Sequence, residues 1–317
     1  MESPPGTSDA ACARAGRGEP PPPWRRTRSH PYGSAQSLQE WPQRAGHLDV
    51  PVASAWPTSR WGQSFKFKRE FGSEEDVLDV RLNNKVLSAP DIPQVLSALA
   101  SFVARCWPEG SPPIVIDFDF SQNRLDDESC AVVVQTISAM AEAHRGTCRL
   151  RVLKCFRSRA SDKTCDMLAR LILAQKAAVD EIHLSHNEIG EAGFVTLLAA
   201  LGMHPGSAYP VQMGANSWPC WLRLAHNRVP RWEDLLAALE LHPHTELIAC
   251  RAIRDDSRYY QCTPKWCAQS QVPHVHLASV HWQDSGGVPS MRTSDALVEG
   301  ACDQIRYWLR VLQSNRR

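Results

Sequence analysis

Cysteine and histidine crowd one stretch in the last quarter of the chain: Cys250, Cys262-x4-Cys267, His274 and His276. Thiolate and imidazole are the ligands zinc prefers. A set of four, Cys262, Cys267, His274 and His276, leaves no open position for water, so the zinc it implies is structural rather than catalytic. The spacing is looser than the Cys-x2-Cys of a zinc finger, and Val275 and Leu277 alternate with the histidines as in an ordinary strand. Zinc and a plain strand both stay open. A second pair, His186 and His226, stands beside Asn187 and Asn227 in two similar stretches. It has no acidic or cysteine companion at matching positions and reads as polar turn decoration. Two carboxylates, Asp117 and Asp119, close the apolar run that begins at Ile114. No P-loop, GxSxG, HExxH or GxGxxG pattern occurs, so the expectation is a protein that is not an enzyme.

The elements that hold these residues recur along the chain. Ile182-His-Leu184-Ser-His-Asn187-Glu-Ile189 is followed by Phe194, Leu197, Leu198 and Leu201, a strand-like segment and then an i, i+3, i+4, i+7 stripe. Leu222-Arg-Leu224-Ala-His-Asn227-Arg-Val229, with Trp232, Leu235, Leu236 and Leu239, repeats it. Phe118-Asp-Phe120-Ser-Gln-Asn123-Arg-Leu125, with Cys130, Val134 and Ile137, is a third copy. Val80-Arg-Leu82, with Leu87, Ile92, Leu96 and Leu99, is a fourth, in which Lys85 replaces Asn; Leu153-Lys-Cys155, with Ser158, Ala160, Cys165, Met167, Leu168 and Ile172, is a fifth, weaker copy. The second apolar strand positions, 82, 120, 155, 184 and 224, are 38, 35, 29 and 40 residues apart, and the longer gaps hold turn-rich insertions such as 107–113 and 203–219.

This pattern of strand, turn with Asn, then helix resembles leucine-rich repeats of the ribonuclease-inhibitor-like type over about residues 75–241. The resemblance implies an α/β leucine-rich-repeat solenoid, a horseshoe segment with parallel strands on the concave face and helices outside. A capping strand near His274 and a C-terminal helix, capped by Ser294 and apolar along Leu297, Ile305, Trp308, Leu309 and Leu312, are expected to close it. Strand alternation then places Asp79, Asp117, Val152, Glu181 and Trp221 in one row of the open face, and Arg81, Asp119, Lys154, His183 and Arg223 in the next. One row is mainly acidic and the other mainly basic, and Trp221 is expected as an exposed indole beside Arg223 at one end of the ladder. Such a surface suits a protein partner. The run from Ile114 to Ser121 also resembles the first motif of haloacid-dehalogenase-like phosphatases. That resemblance implies Asp117 as nucleophile, Asp119 as acid/base and magnesium between them, although Phe120 and Ser121 depart from the motif's usual ending.

The rest of the chain is read from composition. Its 317 residues, 43% hydrophobic and 22% charged, suffice for a real core. Lys+Arg 35 against Asp+Glu 34 gives a net charge of +1, which provides no global field for nucleic acid or anionic membranes. Residues 1–60 carry ten of the 23 prolines and read as a disordered arm, in which Arg25, Arg26 and Arg28 follow a proline run and offer a route to RNA. Residues 61–241 are the solenoid and 242–317 the Cys/His loop, capping strand and final helix. Neither a secretory h-region nor a span of ~20 apolar residues is present, so cytoplasm or nucleus is expected, which suits the eleven cysteines; Cys130, Cys155 and Cys165 fall at core positions.

Overall fold

Runs of β-branched and aromatic residues alternate with amphipathic stripes, and each run forms a strand and each stripe a helix. The computed structural model describes residues 61–69, 76–107, 111–123, 125–143, 148–205, 209–213, 216–245, 247–251, 275–277 and 291–314. The arm, Cys262, Cys267 and His274 lie outside them. In chain order the elements are β1 (Phe65–Arg69), β2 (Asp76–Arg81), α1 (Ile92–Cys106), β3 (Ile114–Asp119), α2 (Asp127–Ala143), β4 (Cys148–Lys154), α3 (Asp162–Ala174), β5 (Glu181–His183) and α4 (Glu191–Gly202). There follow β6 (Val211–Met213), β7 (Asn216–Trp218), β8 (Cys220–Arg223), α5 (Trp232–Leu241), β9 (Ala249–Arg251), β10 (Val275–Leu277) and α6 (Met291–Ser314). Among the described residues the main sheet has eight strands in the order β1-β2-β3-β4-β5-β8-β10-β9, with β1 antiparallel and the others parallel; β6 and β7 form a separate small hairpin. Among the described residues the fold is α/β, with an open, mostly parallel sheet and six α-helices.

Val80, Phe118, Leu153, Ile182, Leu222 and Leu277 pair across adjacent strands and are buried with the inward stripes of the helices in one core. The ladder runs on past the strand ends. Leu82 N–H donates to Asp119 O at 2.7 Å, Phe120 to Lys154 O at 2.9 Å, Cys155 to His183 O at 2.8 Å and Leu184 to Arg223 O at 2.8 Å. The second apolar positions, 82, 120, 155, 184 and 224, thus occupy one buried layer. Two residues further on, Asn84, Gln122, Arg157 and His186 donate to the next segment in the same way, and these four and His226 all have φ between 53° and 60°. The left-handed conformation, costly for any residue but glycine, turns the chain out of the sheet five times at one position.

The turns are held by asparagine. Asn187 Nδ2 donates to Cys155 O at 2.7 Å and Leu184 O at 2.9 Å, while its Oδ1 accepts from Ser158 N at 2.8 Å and Ala160 N at 3.1 Å. Asn123 serves Leu82, Phe120, Lys85 and Leu87 in the same manner. Each amide therefore satisfies the turn of the preceding segment as well as its own. The segments at Val80 and Leu153 lack the residue, and their turns are filled by Asn123 and Asn187 from the segment that follows; there Val86 and Arg159 add a second left-handed residue, φ 55° and 57°.

A second column ties the helix starts together. Asp127 accepts from Ser161 N at 2.9 Å, Ser161 Oγ at 2.7 Å, Thr164 N at 3.3 Å and Thr164 Oγ1 at 2.5 Å. Asp162, at the same position one segment on, accepts from Gly190 N at 2.6 Å and lies so close to Gly193 that a Cβ there would sit 2.5 Å from its Oδ1. At the next step Pro230 offers no N–H, and Glu191 instead grips Arg231 through Nε at 2.9 Å and Nη2 at 2.5 Å.

Helix α6 lies against α4 and α5 and touches α3. Its inner face is Val298, Ala301, Cys302, Ile305 and Trp308, with Leu297, Leu309 and Leu312 partly buried, and Trp308 takes the Arg170 guanidinium over its ring at 4.6 Å. Ser294 is not its cap. The helix starts at Met291, so Ser294 falls inside it, buried with its hydroxyl unpartnered.

Two outcomes follow from these columns. Asn187→Ala strands the buried N–H groups of Ser158 and Ala160 and the carbonyl of Cys155, Leu184 O keeping Asn227 Nδ2 at 2.9 Å, and lowers unfolding free energy by about 2 to 3 kcal/mol in a denaturant titration. Burial of Asp127 raises its pKa, but hydrogen bonds from Thr164 and Ser161 outweigh this and hold it below its ordinary value. Its contribution is therefore present at neutral pH and lost as pH falls through the carboxylate range. Asp127→Asn, less stable than wild type at pH 7, loses less further stability between about pH 5 and pH 2. Equal losses in both proteins across that window exclude Asp127 from acid unfolding.

Candidate functional site

The sheet face opposite the core carries two registered rows. Asp79, Asp117, Val152, Glu181, Trp221, His276 and Cys250 pair in sequence across seven strands, and Arg81, Asp119, Lys154, His183 and Arg223 form the adjoining row. The charges largely answer one another. Asp79, buried, is held between Lys68 of β1 and Arg81 Nε, the latter at 2.9 Å. Glu181 lies 3.6 Å from Lys154 Nζ and 2.6 Å from His183 Nε2. Burial pushes the Glu181 carboxyl up, but His183 and Lys154 together bring it below its usual range. Asp119 accepts from Ser121 N at 3.0 Å. Arg81 and Arg223 are the most exposed members, and no ion pair of Arg223 is among those described.

Asp117 has a partner that strict alternation does not anticipate. The register between β3 and β4 slips after Ile116, so that Leu150 faces Ile116 and Val152 faces Asp117, leaving Arg151 as an extra residue on the open side. Its guanidinium clamps Asp117 in two parallel bonds, Nε to Oδ1 at 2.9 Å and Nη2 to Oδ2 at 2.7 Å. Arg149 adds a bond to Ala178 O at 2.9 Å and a longer one to Asp180 at 3.4 Å; burial nonetheless pushes the Asp180 carboxyl above its ordinary value, against the pull of Arg149 and Arg151. The partner of Asp79 was also legible only in part. In Phe65-Lys-Phe67-Lys68-Arg69 the period of two marks a strand, with Phe65 and Phe67 against Phe102 at 5.8 and 5.4 Å and Lys68 on the side of Asp79, but nothing there repeats the later segments.

Trp221 is not an exposed indole at the end of a ladder. Strand β10 pairs beside β8 and lays His276 on the Trp221 ring, centroids 4.3 Å apart and planes 7° from parallel, which leaves Trp221 9% exposed. His276 is wholly buried, and neither ring nitrogen has a hydrogen-bond partner. Burial pushes its pKa down to about 4, so the ring is neutral at pH 7. Cys130, Cys155 and Cys165 are buried as expected, and burial lifts the Cys155 and Cys165 thiols well above their usual range.

At the carboxyl ends of the strands the left-handed residues make a rim. His186 and His226 stack there at 4.1 Å and 23°, with Phe156 edge-on to His186 at 5.1 Å and Arg157 over Phe156 at 5.4 Å. Lone pairs lie in the ring planes, so near-parallel rings do not converge on a shared ion. Burial, then His226 and Arg157, lower the His186 pKa. Among the described residues no three His, Cys, Asp or Glu side chains group as metal ligands, and no helix is long and apolar enough to cross a membrane.

Comparison with protein-family models, curated proteins and solved structures finds no match to this chain.

The Arg151 clamp gives a direct measurement. Arg151→Ala leaves a half-buried carboxylate without its counter-charge and costs about 1 to 2 kcal/mol; in a double-mutant cycle Asp117→Asn recovers part of that loss. Additive losses would show that the two groups do not interact.

Proposed function

We propose that the chain is a leucine-rich-repeat-like scaffold that binds a protein partner on the open face of its sheet. The observation that supports this reading most is the registered double row of polar side chains on the face opposite the helices. Each contact position recurs at the ~4.8 Å strand spacing, and a repeat surface of this kind offers many points of contact to one extended partner. Asp79 and Trp221 are withdrawn into the sheet. The contacts reduce to Arg81, Asp119, Lys154, His183 and Arg223, with Glu181, Asp117 and Arg151 as the charged floor beneath them.

A phosphatase reading needs Asp117 free to attack phosphorus and a cation bridging it to Asp119. The bidentate hold of Arg151 on Asp117 and the turn bond accepted by Asp119 favour the scaffold. RNA association through Arg25, Arg26 and Arg28 belongs to residues outside those described.

Charge reversal separates the three. Arg81→Glu, Lys154→Glu and Arg223→Glu combined abolish affinity capture of specific partners, whereas Lys163→Glu, an exposed change at the helix side, and removal of residues 1–60 leave it intact. Unchanged capture by the triple variant moves the site off this face. Loss only on removal of residues 1–60, with salt-sensitive RNA retention, supports the arm, and magnesium-dependent phosphate release abolished by Asp117→Asn supports the enzyme.

A further inference from the structure

The rim at the carboxyl ends of the strands carries two rows of charge, and one of them lacks its counter-charge. Arg157, His186 and His226 hold the same left-handed exit position in three adjacent segments, φ 53°, 57° and 60°, and so stand side by side. Two residues further along each segment the next row is Arg159, Glu188 and Arg228, in which Glu188 lies between the two guanidiniums at 3.1 and 3.2 Å. The first row has no such carboxylate. Among the described residues Arg157 makes no ion pair and the rings of His186 and His226 make no hydrogen bond. Arg157 and His226 are exposed and His186 is half-buried, so water reaches this row, whereas the nitrogens of His276 are sealed from it. The groups that face His186 are Phe156 and Arg157 from the turn after β4 and His226 from the turn after β8. Glu188 on its own segment is taken by Arg159 and Arg228, and Asp126 lies by Arg159.

We propose that the row of Arg157, His186 and His226 binds an acidic peptide segment of a partner, whose carboxylates take the place that Glu188 holds in the row behind. Two near-parallel rings, which do not converge on a single ion, offer their N–H donors side by side to the two oxygens of a carboxylate. Three strands at ~4.8 Å spacing make the row ~10 Å long, the span of three extended peptide residues, so a chain of carboxylates fits it better than a free ion. A nucleic acid fits less well. Stacking covers one face of each imidazole, which leaves little ring for a base to stack on, and a net charge of +1 gives no long-range pull on a polyphosphate. Burial, His226 and Arg157 hold the His186 pKa below its ordinary value, so the ring is largely neutral at pH 7. A carboxylate bound beside it favours the protonated ring, and binding therefore takes up protons and tightens as pH falls toward 6. The row shares no residue with the two rows of the open face, so each surface can fail its test alone.

Fluorescence anisotropy of a labelled aspartate decapeptide, titrated with the full chain at low and constant ionic strength, tests the proposal. Wild type binds it about fivefold more tightly at about pH 6 than at about pH 7.5. His186→Asn combined with His226→Asn removes that pH dependence, and Arg157→Gln weakens binding at both pH values. Asn84 and Gln122 occupy the same exit position in the first two segments, so both replacements suit the left-handed backbone. No binding by wild type at about pH 6 overturns the proposal, as does a pH dependence that survives in the double variant. A tighter hold on a uridine decamer than on the peptide overturns it in favour of nucleic acid. Calorimetry of wild type at about pH 6.5, in two buffers of different ionisation enthalpy, decides the matter even if the variants do not fold. Proton uptake on binding the decapeptide supports the row, and binding without it overturns the proposal.

Discussion

Every segment of the sheet must leave its strand without abandoning the hydrogen-bonding groups at the carboxyl end, and the rest of the architecture depends on how that demand is met. A buried amide or carbonyl without a partner costs about 1 to 3 kcal/mol, and five parallel exits stacked on one another create many such groups. The left-handed residues at 84, 122, 157, 186 and 226 turn the chain outward in step, and Asn123, Asn187 and Asn227 reach across to the exit before their own. An asparagine that served only its own turn would have to be present in every segment. One that serves two permits its absence at Lys85 and Ser158, so an irregular sequence still builds a regular ladder.

That regularity determines the character of the open face. Once the exits are aligned, residues flanking the buried row are held at a common height, and like charges on neighbouring strands would repel unless alternated or paired. The chain does both. Glu181 sits between Lys154 and His183, Asp79 between Lys68 and Arg81, and Asp117 is met by Arg151. Without the slip, the register Ile116↔Leu150 would set Arg151 opposite Asp117 but turn Val152 inward and Leu153 outward. The extra residue in β4 keeps Leu153 in the core while leaving Arg151 on the open side, where it still reaches Asp117.

What could be read in advance follows the range of the interactions involved. The apolar layer at 82, 120, 155, 184 and 224 was legible because each position is defined by residues within one segment, a period-two strand followed by a 3.6-period helix. The charged rows followed from alternation alone. Arg151 is marked only by a phase break in its own strand, whose inward positions Cys148, Leu150, Leu153 and Cys155 are spaced two, three and two, and which strand it faces there is a relation that one segment does not carry. The burial of Trp221 was not legible, since it depends on β10, some fifty residues later, inserting between β8 and β9. Ser294 shows the opposite failure: a good capping residue in the right neighbourhood was overruled because the helix extends three residues further back and buries it.

The ends of the sheet show why the repetition has to stop. Each segment covers one side of the next, so the first and last are left with an uncovered edge that invites pairing with another chain. At one end the antiparallel β1 covers β2, its alternate lysines making the new edge a poor template, and Lys68 draws Asp79 out of solvent. At the other end β10 returns to fill the gap between β8 and β9, and its histidine draws in Trp221. Closing the edges thus consumes the outermost side chain of the acidic row at each end of the five-segment ladder. The surface left uncovered is bounded by the caps, running from Arg81 across β3, β4 and β5 to Arg223, where the outer row of polar side chains stays nearest the solvent.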